Sequence, residues 1–187
     1  MKRIIEIVLS FMLLLFLFPA MLFIVLVIKL DTHGPAIFKQ ERVGFHGKPF
    51  MLYKFRTMFC YTDPLAISPA GLDDKRITRV GRFLRKYAVD EWPQFFNILK
   101  GDMSFVGPRP QLAIELQEFQ EKESHLLEKR LTVRPGLTSS WAVSEGTLKT
   151  RPSHEMLAAD CNYTESASLW GDVKILYRTF LYLFTRR

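Results

Sequence analysis

Cysteine is scarce in this chain. Only Cys60 and Cys161 are present, far apart in sequence. Such a pair builds neither a disulfide framework nor a metal knuckle, and it reads as two reduced thiols in a cytosolic domain. Histidine is equally thin: His33, His46, His125 and His154 are scattered, with no zinc-ligand spacing among them. There is no Walker-type loop and no GxGxxG turn, so the standard nucleotide-binding folds are excluded. No internal repeat or low-complexity tract is visible, which excludes solenoids and linker-like chains. Positive charge and apolar residues are abundant. Lysine and arginine number 26 against 19 acids, giving a net charge of +7. That balance implies anionic partners: nucleic acid, phosphorylated small molecules or a membrane surface. A length of 187 residues with 48% hydrophobic content suits one domain with an ample core, or one domain plus an appendage.

The appendage is at the front. Residues 4–28 read IIEIVLSFMLLLFLFPAMLFIVLVI, an apolar run interrupted only by Glu6 and Ser10. About 20 apolar residues suffice to cross a bilayer as a helix. The run is too long for a signal-peptide core, and no small-x-small cleavage site follows it. Pro19 removes a helix hydrogen bond in mid-segment and crowds the preceding turn. Lys2 and Arg3 precede the run; Lys29, Lys39, Arg42, Lys48, Lys54 and Arg56 follow it. Cations on both flanks fit a helix that bends at Pro19 and returns to its side of entry. They equally fit a straight anchor with a cytoplasmic C-terminal body.

Downstream, the pattern changes to that of a small mixed α/β body. Runs 36–43 and 50–58 alternate like strands around GFHGKP, which predicts a hairpin. Residues 61–74 read as a loop. Helical spacing covers 77–87, with a basic face, and 91–100, with its proline in the first turn and Gly101 placed as C-cap. MSFV is a short extended piece. Residues 111–130 form a long amphipathic helix in this reading. RPGLTSSW turns into another extended piece. The closing SLWGDVKILYRTFLYLFTRR is apolar on one face and basic on the other, suited to a membrane interface or to packing on a core.

The stretch VDEWPQFFNILKGDMSFVGPRP, 89–110, holds the chemistry. Adjacent Asp90 and Glu91 precede a helix. Asp90 reads either as a helix N-cap or as a nucleophile or metal ligand at a helix start, where phosphates also collect. Glu91 in a first turn also complements the helix dipole. Arg79, Arg82, Arg85 and Lys86 stand just before the acids, and Arg109 stands between two prolines that fix its backbone for a two-pronged phosphate contact. Arg56 and Arg134 are further candidates. Acids able to hold Mg²⁺, amid arginines and beside a membrane segment, point to phosphate transfer.

Together these residues resemble the bacterial sugar transferases, specifically the small monotopic phosphoglycosyl transferases. IKLDTHGPAIFKQERVG, YKFRTM, ITRVGRFLRKYAVDEWPQFFNILKGDMSFVGPRP, VRPGLTSSW and SLWGDVKILYRT carry the likeness nearly end to end. The resemblance implies transfer of a phospho-sugar from a UDP-sugar to polyprenyl phosphate at the cytoplasmic membrane face, with Mg²⁺ and release of UMP. It implies Asp90 as nucleophile and Glu91 as metal ligand. Arg85 and Arg109 become phosphate-binding residues, with Lys54 and Arg56 of the YKFRTM block as further substrate contacts. It also implies a re-entrant membrane helix broken at Pro19 over residues 1–30, and a cytoplasmic catalytic domain with interfacial helices over 31–187. Membrane lipids are expected partners, with a homodimer or downstream glycosyltransferases as others and no nucleic acid. Two stretches depart from the family pattern. Relatives commonly have Ser-Pro where this chain has Phe18-Pro19, and SSWAVSEG, with Ala142, Glu145 and Gly146, replaces a more polar stretch that bears on nucleotide or sugar. Two rival readings remain: a membrane-anchored basic scaffold without turnover, and a lipid-linked pyrophosphatase using water as acceptor.

Overall fold

The computed structural model describes residues 1–62, 73–144 and 153–185. The loop expected at 61–74 therefore lies mostly outside the described residues, as do Glu145 and Gly146.

The apolar run forms one helix, α1 (Lys2–Asp31), about 45 Å long at 1.5 Å per residue. Pro19 sits inside α1 without dividing it into two elements. Glu6, Ser10, Leu14, Met21 and Ile28 recur at helical spacing and are buried along a single face. The opposite face, including Phe11, Leu15, Phe16, Phe18, Leu22, Phe23 and Leu26, is exposed. So large an apolar surface is foreign to water. α1 is the one described helix long and apolar enough to cross a membrane.

Both ends of α1 are pinned to the same body. At the start, the Lys2 ammonium lies 2.7 Å from Asp172. Arg3 donates to the carbonyls of Ile98 (2.5 Å) and Leu99 (3.2 Å), and the Ser104 hydroxyl donates to the buried Glu6 carboxylate. At the far end, the Asp31 carboxylate accepts the Val80 N–H at 3.3 Å. Arg56 donates to the carbonyls of Thr32 (2.6 Å), His33 (2.8 Å) and Ile28 (3.4 Å). A cation at a helix C-terminus satisfies carbonyls that have no intrahelical partner.

The body opens with the expected hairpin, β1 (Ile37–Val43) against β2 (Pro49–Phe55), antiparallel from Ile37↔Phe55 to Val43↔Pro49. Its tight turn holds His46 and Gly47 at positive φ. Next comes α2 (Arg79–Lys86), capped by the Thr78 hydroxyl. The helix expected over 91–100 starts later. Residues 89–91 form a single 3₁₀ turn, and α3 (Gln94–Lys100) follows Pro93. Gly101 caps α3 at φ 100°, as its position predicts.

β3 (Ser104–Val106) pairs in parallel with β4 (Gly136–Thr138), which the sequence pattern did not reveal. The long helix expected over 111–130 is two: α4 (Ala113–Lys122) and α5 (Ser124–Arg130). Glu123 leaves helical angles between them (φ −141°, ψ 41°), and its carboxylate meets His154 Nδ1. The extended piece expected after RPGLT ends at Thr138, and α6 (Ser140–Ser144) follows. α7 (His154–Ser166) was not anticipated. α8 (Leu169–Thr185) leaves Leu169, Trp170, Val173, Tyr177, Phe180 and Leu181 exposed, while Ile175 and Leu176 pack on the core. The mixed, mostly helical α/β class read from the sequence is the class observed.

One apolar core unites the inner face of α1 with Leu52, Phe55, Leu84, Phe95, Ile98, Met103, Phe105 and Val106. At its centre Asn97, fully buried, joins α3 to β2. Its Oδ1 accepts the Tyr53 N–H (3.1 Å), and its Nδ2 donates to the Met51 carbonyl (2.7 Å).

Candidate active site

The two acids sit in the 3₁₀ turn 89–91, reached through Ala88 in the left-handed region at φ 53°. Asp90 is therefore not the N-cap of α3. That position falls to Pro93, which offers no side-chain cap. In a 3₁₀ turn successive side chains diverge by about 120°, and the dyad splits accordingly. Asp90 is 9% exposed and is the foremost acid acting on Arg85. Glu91 pairs with the Lys54 ammonium at 2.9 Å. Both acids act on Arg85, Asp90 the more strongly.

Arg85 is presented by α2. Its Nε donates to the Thr57 hydroxyl at 2.8 Å. Burial lowers its pKa, while Asp90, Asp74 and Glu91 act in the opposite direction. α2 comes this close to the strand end because Gly81 has no side chain. A Cβ there would lie 2.1 Å from the Thr57 carbonyl oxygen.

Glu91 and Lys54 line a cleft with Arg42, Gln94, Arg109, Pro110, Thr138, Ser139, Trp141, Ala142 and Met156. Arg109 enters it from the loop after β3, and Lys54 from β2. Arg42 lies close enough to Arg109 for their like charges to oppose each other. Burial, more than that repulsion, brings its pKa down to about 10, with Glu115 acting the other way. Arg42 pairs with Glu115 at 3.2 Å and Lys54 with Glu91, so two acids answer the three cations at the cleft and the balance there stays positive. Gln94 is 2% exposed, and its amide nitrogen has no hydrogen-bond partner among the described residues. A buried donor without an acceptor is costly, so a ligand acceptor in the cleft would relieve it.

The residues read from the sequence divide into two sets. Glu91, Lys54 and Arg109 line the cleft, while Asp90, in the same 3₁₀ turn as Glu91, and Arg85 stand outside its lining. Arg56 does not line the cleft. It is 5% exposed and committed to the C-terminal end of α1, with a further contact to Cys60 Sγ at 3.1 Å. Arg134 is likewise structural: its Nε donates to the Gly101 carbonyl at 2.8 Å, and its guanidinium lies over the Phe45 ring. Sequence reasoning missed Gln94, Arg42 and Trp141. Gln94 opens α3, the first residue after Pro93, which places it next to the acid-bearing turn.

The whole chain, residues 1–186, matches the family model described as bacterial sugar transferase. The chain belongs to the bacterial sugar transferase family. It is 40% identical to a UDP-glucose:undecaprenyl-phosphate glucose-1-phosphate transferase of Caulobacter vibrioides, over 98% of this chain and 70% of that protein. It is 38% identical to a protein of the same name from Escherichia coli, over 96% of this chain and 39% of the relative. An undecaprenyl-phosphate galactose phosphotransferase of Salmonella typhimurium is 39% identical, again over 96% of this chain and 39% of the relative. The sugar transferase chain thus spans about two-fifths of the length of the last two relatives.

No group of three or more His, Cys, Asp or Glu side chains able to hold a metal is found among the described residues. Mg²⁺ is held by one or two carboxylates together with substrate phosphates and water in many phosphoryl-transfer sites, and Glu91, which lines the cleft, is the carboxylate there that would take that role.

Proposed function

We propose that this chain transfers a phospho-sugar from a UDP-sugar to polyprenyl phosphate at the cytoplasmic face of a membrane, releasing UMP. The observation that carries the reading is the division of the acid pair: a buried Asp90 set against Arg85, and Glu91 held by Lys54 at the edge of a cationic cleft. The relatives' names support the substrates: all three specify undecaprenyl phosphate, and those from Caulobacter vibrioides and Escherichia coli also specify UDP-glucose.

In this mechanism an Asp90 carboxylate oxygen attacks the β-phosphorus. The bond from that phosphorus to the bridging oxygen breaks, and the electron pair leaves with UMP. A phosphate oxygen of the polyprenyl acceptor then attacks the same phosphorus, and the Asp90 carboxylate departs. Arg85 and Arg109 balance phosphate charge through both displacements, and Gln94 donates to a phosphoryl oxygen. Glu91 would hold Mg²⁺, whose charge offsets that of the diphosphate so that an anionic nucleophile can approach.

Membrane placement follows the same reading. α1 enters and leaves on the cytoplasmic side with a bend at Pro19, because both of its ends are bonded to one body and both carry cations. The exposed apolar face of α8 lies along the same interface.

The deciding experiment incubates the purified protein with UDP-glucose, UDP-galactose and UDP-N-acetylgalactosamine, with and without undecaprenyl phosphate. UMP release that needs the lipid for sustained turnover is expected, and rapid quench without lipid should leave a phospho-sugar adduct on Asp90. No UMP from any of the sugars would favour a scaffold. Sustained turnover with water as acceptor would favour a pyrophosphatase. An adduct on Glu91 would reverse the assignment within the dyad.

A further inference from the structure

The segment that carries Arg109 is held largely through its carbonyls. Pro108 and Pro110 have no N–H, so neither can donate to a strand ladder. Four consecutive carbonyls are each taken by a donor from elsewhere. Pro108 accepts from the Gly136 N–H at 2.8 Å, Arg109 from Arg130 Nη2 at 2.5 Å, Pro110 from Arg42 Nη1 at 3.4 Å, and Gln111 from the Val43 N–H at 2.9 Å.

The bond to Arg109 itself is unlike the rest. It comes from a side chain that does not line the cleft. Arg130, at the end of α5, is 3% exposed, and its Nε donates to Asp160 of α7 at 2.9 Å, with both side chains 2% exposed. We infer that Arg130, oriented by Asp160, is a positioning residue that fixes the Arg109 backbone and so aims the Arg109 guanidinium into the cleft. The inference rests on the reading of Arg109 as a phosphate-binding residue.

The chemistry of the pair supports this role. A guanidinium can serve two acceptors in different directions at once, and an ammonium on a flexible stem does not reproduce that fork. Buried ion pairs often add little stability over apolar residues of similar volume, so stability alone is a weak reason for one here. Burial also pushes the Asp160 carboxyl up from its ordinary pKa, and Arg130 opposes that shift. The pair is held in an environment hostile to charge, and it places one N–H on the carbonyl of a cleft arginine.

The test is a double-mutant cycle read as kcat/KM for UMP release. Arg130→Lys keeps a cation against Asp160 and removes the bond to the Arg109 carbonyl. A bond from a charged group is worth about 1.5–3 kcal/mol, so kcat/KM should fall about 10- to 100-fold. In an Arg109→Lys background the same change should cost much less, because the fork that Arg130 aims is already gone. An equal loss in both backgrounds means the two residues act independently and overturns the inference. Full activity of Arg109→Lys alone would instead overturn the phosphate role of Arg109, a separate outcome. The double variant Arg130→Met/Asp160→Leu guards against misfolding. It should melt at or above the parent temperature, since it replaces a buried pair with apolar groups, and still lose activity. Parental kcat/KM in that folded variant would also overturn the inference.

Discussion

Asn97 offers the sharpest stability test, because one side chain joins the strand of Lys54 to the helix after the acid pair. Asn97→Ala deletes an acceptor for the Tyr53 N–H, a donor to the Met51 carbonyl and a donor to Asp102 at 3.2 Å. A buried backbone group left without a partner costs about 1–3 kcal/mol. Both Tyr53 N–H and Met51 C=O are only partly buried, so the lower half of that range applies to each, for about 2–4 kcal/mol in total. At about 2–4 °C per kcal/mol for a chain of this size, the melting temperature should drop by about 5–15 °C. Thermal unfolding in a mild detergent, followed by intrinsic fluorescence, measures this. Asn97→Asp separates the two roles: it keeps the acceptor for Tyr53 but sets a second carboxylate against Asp102 and the Met51 carbonyl, so it too should be destabilising. An Asn97→Ala protein melting within about 1 °C of the parent would show that water replaces these bonds at no cost, and the reasoning would fail.

Other expectations concern the site and the membrane segment. Gly81→Ala would force α2 off the Thr57 carbonyl and stretch the Arg85–Thr57 bond, so UMP release should fall about 10- to 100-fold, as expected for misplacement by about an ångström; unchanged rates would show that Arg85 needs no such placement. Lys54→Met removes the cation paired with Glu91, so Mg²⁺ should raise the melting temperature more than in the parent, a difference that a Mg²⁺ titration of the unfolding curve detects. A cysteine appended ahead of Met1, in a Cys60→Ala/Cys161→Ala background, should resist a membrane-impermeant maleimide in intact cells if α1 is re-entrant; efficient labelling would mean a spanning helix.

The hairpin was legible because alternation and a Gly-rich turn are local signals, and Gly101 was legible because a left-handed cap favours glycine. The Asp90–Glu91 pair and Arg109 were legible as a motif, but their division of partners was not. It depends on the single 3₁₀ turn, which Pro93 sets apart from α3. The β3–β4 pairing was hidden because its two strands are three residues each and separated by two helices. The placing of Arg56 was hidden for a related reason. Its neighbours in YKFRTM suggested a shared site, yet Lys54 and Arg56 diverge: Lys54 reaches the cleft while Arg56 turns to the carbonyls ending α1. Charge marks a residue as interesting, but tertiary acceptors decide what it serves.

The tie between Lys2 and Asp172 has a consequence for how the protein is made. Lys2 leaves the ribosome well before its partners, Tyr163 and Asp172, which lie about 160–170 residues further along the chain. A contact between residues so distant in sequence cannot help the early chain, and it delays completion of the fold. During synthesis Lys2 and Arg3 have only Glu6, one helical turn along, as a local partner, and their remaining charge is available to a lipid headgroup or to the insertion machinery, while the Glu6 carboxylate still awaits Ser104. The apolar segment must take its place in the bilayer under those conditions, before the body exists to receive it. Closure of the tie afterwards records the orientation already adopted. Molecules inserted with the start of α1 on the wrong side could not close it, and they would leave the start of α1 and the α8 region that carries Asp172 as substrates for quality-control proteases.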